Sequence, residues 1–232
     1  MCGRYSIRTR MPLLEERFDL APTGLELEPR SNLAPGQQGP VVITAGGGED
    51  RRELKLMRWG LIPSWAKEAR VGYKMINARA ESVDRSPAFK RLFLNRRCLV
   101  LADGFYEWAK PARDQGRGGP VARLPFRFIL KDGGAFAMAG LWDRWRGPEG
   151  VEVESYTIIT TLANPLVARL HDRMPVILSP SAEAQWLDPG MAPWELKALL
   201  RPLEDKGMDC YRVSTLVNRA GNEGPELIRP IA

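Results

Sequence analysis

The chain has 232 residues, 44% of them hydrophobic, enough to bury a full core in one domain. Its formal charge of +6 favours an anionic partner, with nucleic acid the leading class. No apolar run approaches the ~20 residues of a bilayer span and no apolar stretch follows a basic amino terminus, so a cytoplasmic protein without a membrane partner is expected, nucleoid-associated when on DNA. In chain order, Pro12 opens a helix over 12–20, and the apolar and β-branched run 41–45 reads as a strand. Gly46-Gly47-Gly48-Glu49-Asp50 reads as a hairpin turn into a partly alternating strand over 54–61. Ser86-Pro87, a side-chain cap before a proline that has no N–H to lose, predicts the start of a helix. A buried strand follows at 98–102, then a mobile loop over 110–121, rich in Gly, Pro and Arg. Strands are expected at 125–130, 136–141 and 156–161, a helix from Ser179-Pro180, and a last helix over 193–200. Strands outnumber helices without regular alternation, which predicts an α+β domain over 1–232 and argues against a doubly wound sheet. A monomer is the default expectation.

Cys2, Cys98 and Cys210 are odd in number and widely spaced, so a disulfide framework is not expected. Cys98 and Cys210 lie among apolar neighbours and read as structural thiols. His171 is the only histidine, too few ligands for a zinc site, and neither a metal nor another cofactor is expected.

Cys2 stands apart because it follows Met1 directly. Removal of Met1 leaves an α-amine and a thiol on one carbon framework, a 1,2-aminothiol. The amine adds to an aldehyde to give an imine, and the thiol then closes a five-membered thiazolidine. With an α-amine pKa near 7.7–8.0 against about 10.4 for Lys, roughly a quarter of the amine is neutral at pH 7.4 but only ~0.1% of a lysine. A small residue tolerated at a disordered terminus is the ordinary alternative.

Four strings carry further chemistry: Cys2-Gly3-Arg4-Tyr5, Asn77-Ala78-Arg79-Ala80-Glu81, Gly104-Phe105-Tyr106-Glu107-Trp108 and His171-Asp172-Arg173-Met174-Pro175. With Asn32-Leu33-Ala34-Pro35 and Trp59-Gly60-Leu61-Ile62-Pro63-Ser64-Trp65, they resemble, from end to end of the chain, the SOS-response-associated peptidase (SRAP) family of abasic-site processing proteins. That resemblance implies a single α+β domain with a β-barrel-like core of mostly antiparallel strands, a few peripheral helices and a basic DNA groove. It also implies covalent capture, through mature Cys2, of the ring-opened sugar aldehyde at an abasic site in single-stranded DNA; abasic-site lyase activity follows if Glu107 removes a proton from the imine and the 3′ phosphate is eliminated.

The closed hemiacetal of an abasic sugar needs an acid to open it and the amine needs a base. Glu107, desolvated between Tyr106 and Trp108, suits both roles, though a surface Glu paired with an Arg is the alternative. His171 suits protonation of the ring oxygen or of the departing hydroxyl, and otherwise reads as a structural hydrogen-bond partner. Asn77 offers donors and an acceptor to hold amine and sugar, or else caps a turn. Arg4 and Arg79 suit phosphate, Trp65 stacking on a base, and Pro35 a supporting contact with DNA, against the ordinary readings of surface pairs and core packing. Two other function classes stay open: a cysteine peptidase or self-processing hydrolase using Cys2 and His171, and a non-catalytic single-strand binding module.

Overall fold

Five strands that close on themselves make the centre of the fold, in a computed structural model that describes residues 2–45, 51–109 and 123–231. In chain order the elements are β1 (Tyr5–Ile7), α1 (Met11–Phe18), β2 (Arg30–Leu33), β3 (Gln38–Thr44), β4 (Arg52–Trp59), β5 (Asn77–Arg79) and α2 (Lys90–Asn95). Next come β6 (Arg97–Ala102), β7 (Gly104–Ala109), β8 (Leu124–Leu130), β9 (Phe136–Arg146), β10 (Glu152–Leu162) and α3 (Pro165–Ala168). The chain ends with β11 (Arg173–Pro175), β12 (Ile177–Leu178), α4 (Pro180–Leu187), α5 (Pro193–Leu199) and β13 (Met208–Arg212). Strands β4, β3, β6 and β9 pair in that order, and β10 joins β9 on one side and β4 on the other, so the ring has no free edge. All pairings among the described strands are antiparallel except those of β10 with β4 and β5. The class is α+β with a barrel core.

A second sheet, ordered β13-β8-β7-β1-β2, packs against this barrel, and the chain passes from barrel to sheet at Asp103, between β6 and β7. Asp103 is buried, and its carboxylate accepts from Ser6 Oγ at 2.7 Å, Arg127 Nη2 at 2.9 Å and the Arg8 backbone N–H at 2.5 Å. Arg127 in turn donates to the Tyr211 hydroxyl at 2.7 Å, so one buried ion pair ties β1, β7, β8 and β13. A Cβ at Gly104 would collide with the Arg127 guanidinium, which is why this position lacks a side chain. Tyr5 reaches from β1 into the barrel, where its hydroxyl meets that of Tyr156 at 2.6 Å in space that only a glycine at Gly39 leaves open.

Strands β3, β6, β9 and β10 fall where continuous apolar runs predict them and β4 where partial alternation does, but β9 and β10 extend further, to Arg146 and from Glu152. Those extensions are charged and pair across the hairpin, with Arg144 on Glu154 at 2.7 Å and Arg146 on Glu152. The helix at α4 opens as expected, with Ser179 Oγ accepting from Ala182 N–H. The one expected from Ser86-Pro87 starts later: a turn closes on Ser86 O, and regular helix begins only at Lys90. The expected turn at 46–50 and loop at 110–121 lie outside the described residues. Among the described residues no helix is long and apolar enough to cross a membrane.

Removing one partner of the buried Asp103–Arg127 pair strands the other charge. Asp103→Ala is expected to cost about 3–5 kcal/mol, read as a lower midpoint in urea denaturation.

Candidate functional site

The four chemistry-bearing strings lie on or beside β1, β5, β7 and β11, with Cys2 just before β1 and His171 just before β11. β1 pairs with β7 through Tyr5↔Phe105, and Tyr106 N–H donates to Arg4 O at 3.0 Å, so continuing that register sets Gly3 opposite Glu107. Asn77, first residue of β5, donates from Nδ2 to the Cys2 carbonyl at 2.9 Å. Its Oδ1 is buried and accepts no hydrogen bond from the described residues, an acceptor held ready beside Cys2. Strands β5 and β11 both lie on β10, Asn77 opposite Ile158 and Arg173 opposite Leu162, and Arg173 chelates Glu81 at 2.8 and 2.9 Å. Thus two strings nearly a hundred residues apart are fastened together.

Burial sets the electrostatics. Glu107 is only 4% exposed, and desolvation lifts its carboxyl to about 7, with the Asp172 carboxylate adding to the rise. The source of that burial differs from the expected one. Side chains alternate along β7, so Tyr106 and Trp108 point to the opposite face, into a small cluster with Val213, Val217 and Leu227, while Glu107 shares the inner face with Phe105. The Cys2 thiol is fully buried, and desolvation together with the Glu107 charge holds it well above the ordinary thiol range.

His171 follows α3, a helix capped by buried Asn164. Its Nδ1 lies 3.0 Å from the Arg173 N–H, from which the neutral ring accepts, and 2.9 Å from Asp172 Oδ1, which pairs with the protonated ring. His171, Asp172, Arg169 and Ala109 line a cleft of 680 Å³, and Ala109 lies on the same strand and face as Glu107.

The candidate DNA contacts divide. Arg79 is exposed on the same side of β5 as Asn77. Trp65 is 67% exposed, which answers the core-packing alternative. Pro35 is half-buried at a turn. Arg4 is turned inward, donating to Asn32 Oδ1 at 2.6 Å and Val217 O at 3.0 Å with its guanidinium over Trp108. Among the described residues no cluster of His, Cys, Asp and Glu could hold a metal ion.

The family model for SOS response associated peptidase (SRAP) matches residues 1–220. The chain belongs to the SRAP family. Among SRAP relatives, the abasic site processing protein YoqW of Bacillus subtilis (strain 168) is 42% identical over 98% of this chain and 99% of its own. The abasic site processing protein HMCES of Xenopus tropicalis is 34% identical over 88% of this chain and 67% of its own. A crystal structure of a Bacteroides thetaiotaomicron protein covers all of both chains with a TM-score of 0.84 at 24% identity, and so speaks to the fold. One from Bordetella bronchiseptica covers 92% of this chain and all of its own, with a TM-score of 0.74 at 27% identity.

Sequence reasoning missed Tyr73, which is 63% exposed beside Gly36 and under the Arg58 guanidinium, 5.2 Å from its ring centroid. No sequence signal marked it, since Val71, Gly72, Met75 and Ile76 around it read equally well as core. The raised Glu107 yields a stability test. The folded chain keeps this proton up to about 7, whereas the unfolded chain releases it near 4.5, so stability falls as pH rises through that window. Glu107→Gln should match the parent at pH 4 and exceed it by about 3 kcal/mol at pH 8, measured by denaturant titration at both pH values.

Proposed function

We propose that this chain, residues 1–232 acting as one domain, captures abasic sites in single-stranded DNA as a thiazolidine crosslink through Cys2 after Met1 is removed. The observation that carries the reading is the Asn77-held Cys2, with its thiol next to a carboxyl poised near 7. Relatives named abasic site processing proteins, similar over nearly the whole chain, support it.

The steps follow from the groups present. Protonated His171 gives its proton to the sugar ring oxygen while the anomeric hydroxyl loses its own to solvent, and the hemiacetal opens to the aldehyde. Glu107 takes a proton from the Cys2 α-amine, Asn77 Oδ1 accepts from that amine, and the C–N bond forms. Loss of water gives the imine. The thiol S–H then adds across C=N: sulfur bonds to carbon, and the proton passes through Glu107 to nitrogen. Lyase activity uses the same imine, with Glu107 removing the neighbouring carbon's proton as the 3′ phosphate leaves. Arg79 holds a phosphate, and Trp65, Tyr73 and Pro35 receive the flanking nucleotides. With no base to read, sequence preference is slight.

The hydrolase reading requires a thiolate paired with His171. Burial and the Glu107 charge instead keep the thiol protonated, which favours attack by the amine first. A reversible binding module has no use for a buried aminothiol.

Incubated with a single strand carrying one abasic site, the protein should give a denaturation-resistant band without reductant. Cys2→Ala should abolish it, and Cys2→Ser should give a band only with borohydride; an undiminished Cys2→Ala band would contradict the mechanism. If about three cations neutralise phosphates, log affinity before crosslinking should fall with a slope near −2 against log salt, measured by anisotropy on Cys2→Ala.

A further inference from the structure

A cleft of 670 Å³ opens at the far end of β1 from Cys2, about 20 Å away at the ordinary strand rise. Phe136, Ile177 and Leu178 form its floor, and Leu13, a leucine 48% exposed on α1, stands at its side with Leu203. A second hollow of 390 Å³ shares Ile177, Leu178, Ser179 and Leu203 with the first and continues it toward Arg201 and Lys206. The two make one apolar groove.

Its rim is unbalanced in charge. Arg17 is committed to buried Glu183 at 2.7 Å, and Lys206 to Glu204. Arg8 donates to the uncharged Ser31 hydroxyl, and among the described residues Arg10 and Arg201 make no ion pair. Three cations thus face a single uncommitted carboxylate, Asp132. Phe136, the aromatic in the lining, is 1% exposed, so a nucleotide base has no ring to stack on. An apolar floor under an arginine rim is instead complementary to a polypeptide.

We propose that this groove docks an extended, acidic segment of a partner protein, with a bulky aliphatic side chain seated between Leu13 and Leu203 and flanking carboxylates on Arg10 and Arg201. Because the groove lies at the opposite end of β1 from Cys2, such a partner binds without covering the lesion site.

The test is a selection of phage-displayed random peptides on the full chain, followed by fluorescence anisotropy of the enriched peptides against the parent, Leu13→Glu and Arg10→Glu. Both substitutions are on the surface, and circular dichroism melts check that the variants fold. Enriched peptides should pair Asp or Glu with Leu, Ile or Met, and each substitution should weaken binding by about tenfold or more while leaving the abasic-DNA adduct unchanged. The proposal is overturned if no peptide is enriched, if enriched peptides lack acidic residues, or if both variants bind like the parent. Displacement of the peptide by an oligothymidine would assign the groove to nucleic acid instead.

Discussion

The antiparallel pairing of β1 with β7 is the constraint on which the rest of the site depends. A residue at a chain terminus is ordinarily mobile, yet Cys2 is buried because the three residues of β1 are fixed at both ends. At one end Asp103 gathers Ser6, Arg8 and Arg127; at the other Asn77 holds the Cys2 carbonyl. Tyr5, between them, is anchored in the barrel on Tyr156. Each tether comes from a different part of the sequence, so the position of Cys2 reports the integrity of the whole fold.

One physical effect tunes both candidate reactive groups. Desolvation at the inner face of β7 raises Glu107 to about 7, and the same burial keeps the Cys2 thiol neutral. A carboxyl balanced between its two forms can accept a proton at one step and return it at a later one. A neutral thiol waits until an imine exists. The order of events proposed for the chemistry, nitrogen before sulfur, therefore follows from where the chain is dry.

The barrel was legible and the site-bearing strands were not, for one reason. Strands β3, β6, β9 and β10 are buried on long stretches, so their apolar runs, such as Cys98-Leu99-Val100-Leu101, announce them, and partial alternation announces β4. Strands β1, β5 and β11 have three residues each, too few to show a pattern, and owe their extended form to partners distant in sequence. The residues themselves were found through their types and through family resemblance. Periodicity did not reveal that Glu107 faces inward, away from the two aromatics beside it, because that depends on which face of β7 the barrel covers. The inward turn of Arg4 likewise needed Asn32 and the Val217 carbonyl, neither of them near it in sequence.

Membership of the SRAP family fixes the class of protein, and the geometry at Cys2 supports the chemistry proposed for it. Its central claim concerns the covalent state of one residue. Intact-protein and peptide mass spectrometry of the product formed with an abasic oligonucleotide tests it most directly. The account predicts a species whose mass is that of the chain lacking Met1 plus the oligonucleotide minus one water, with the DNA remnant on the peptide that begins at Cys2. An adduct on a chain that still carries Met1, or one located on an internal lysine, would contradict it.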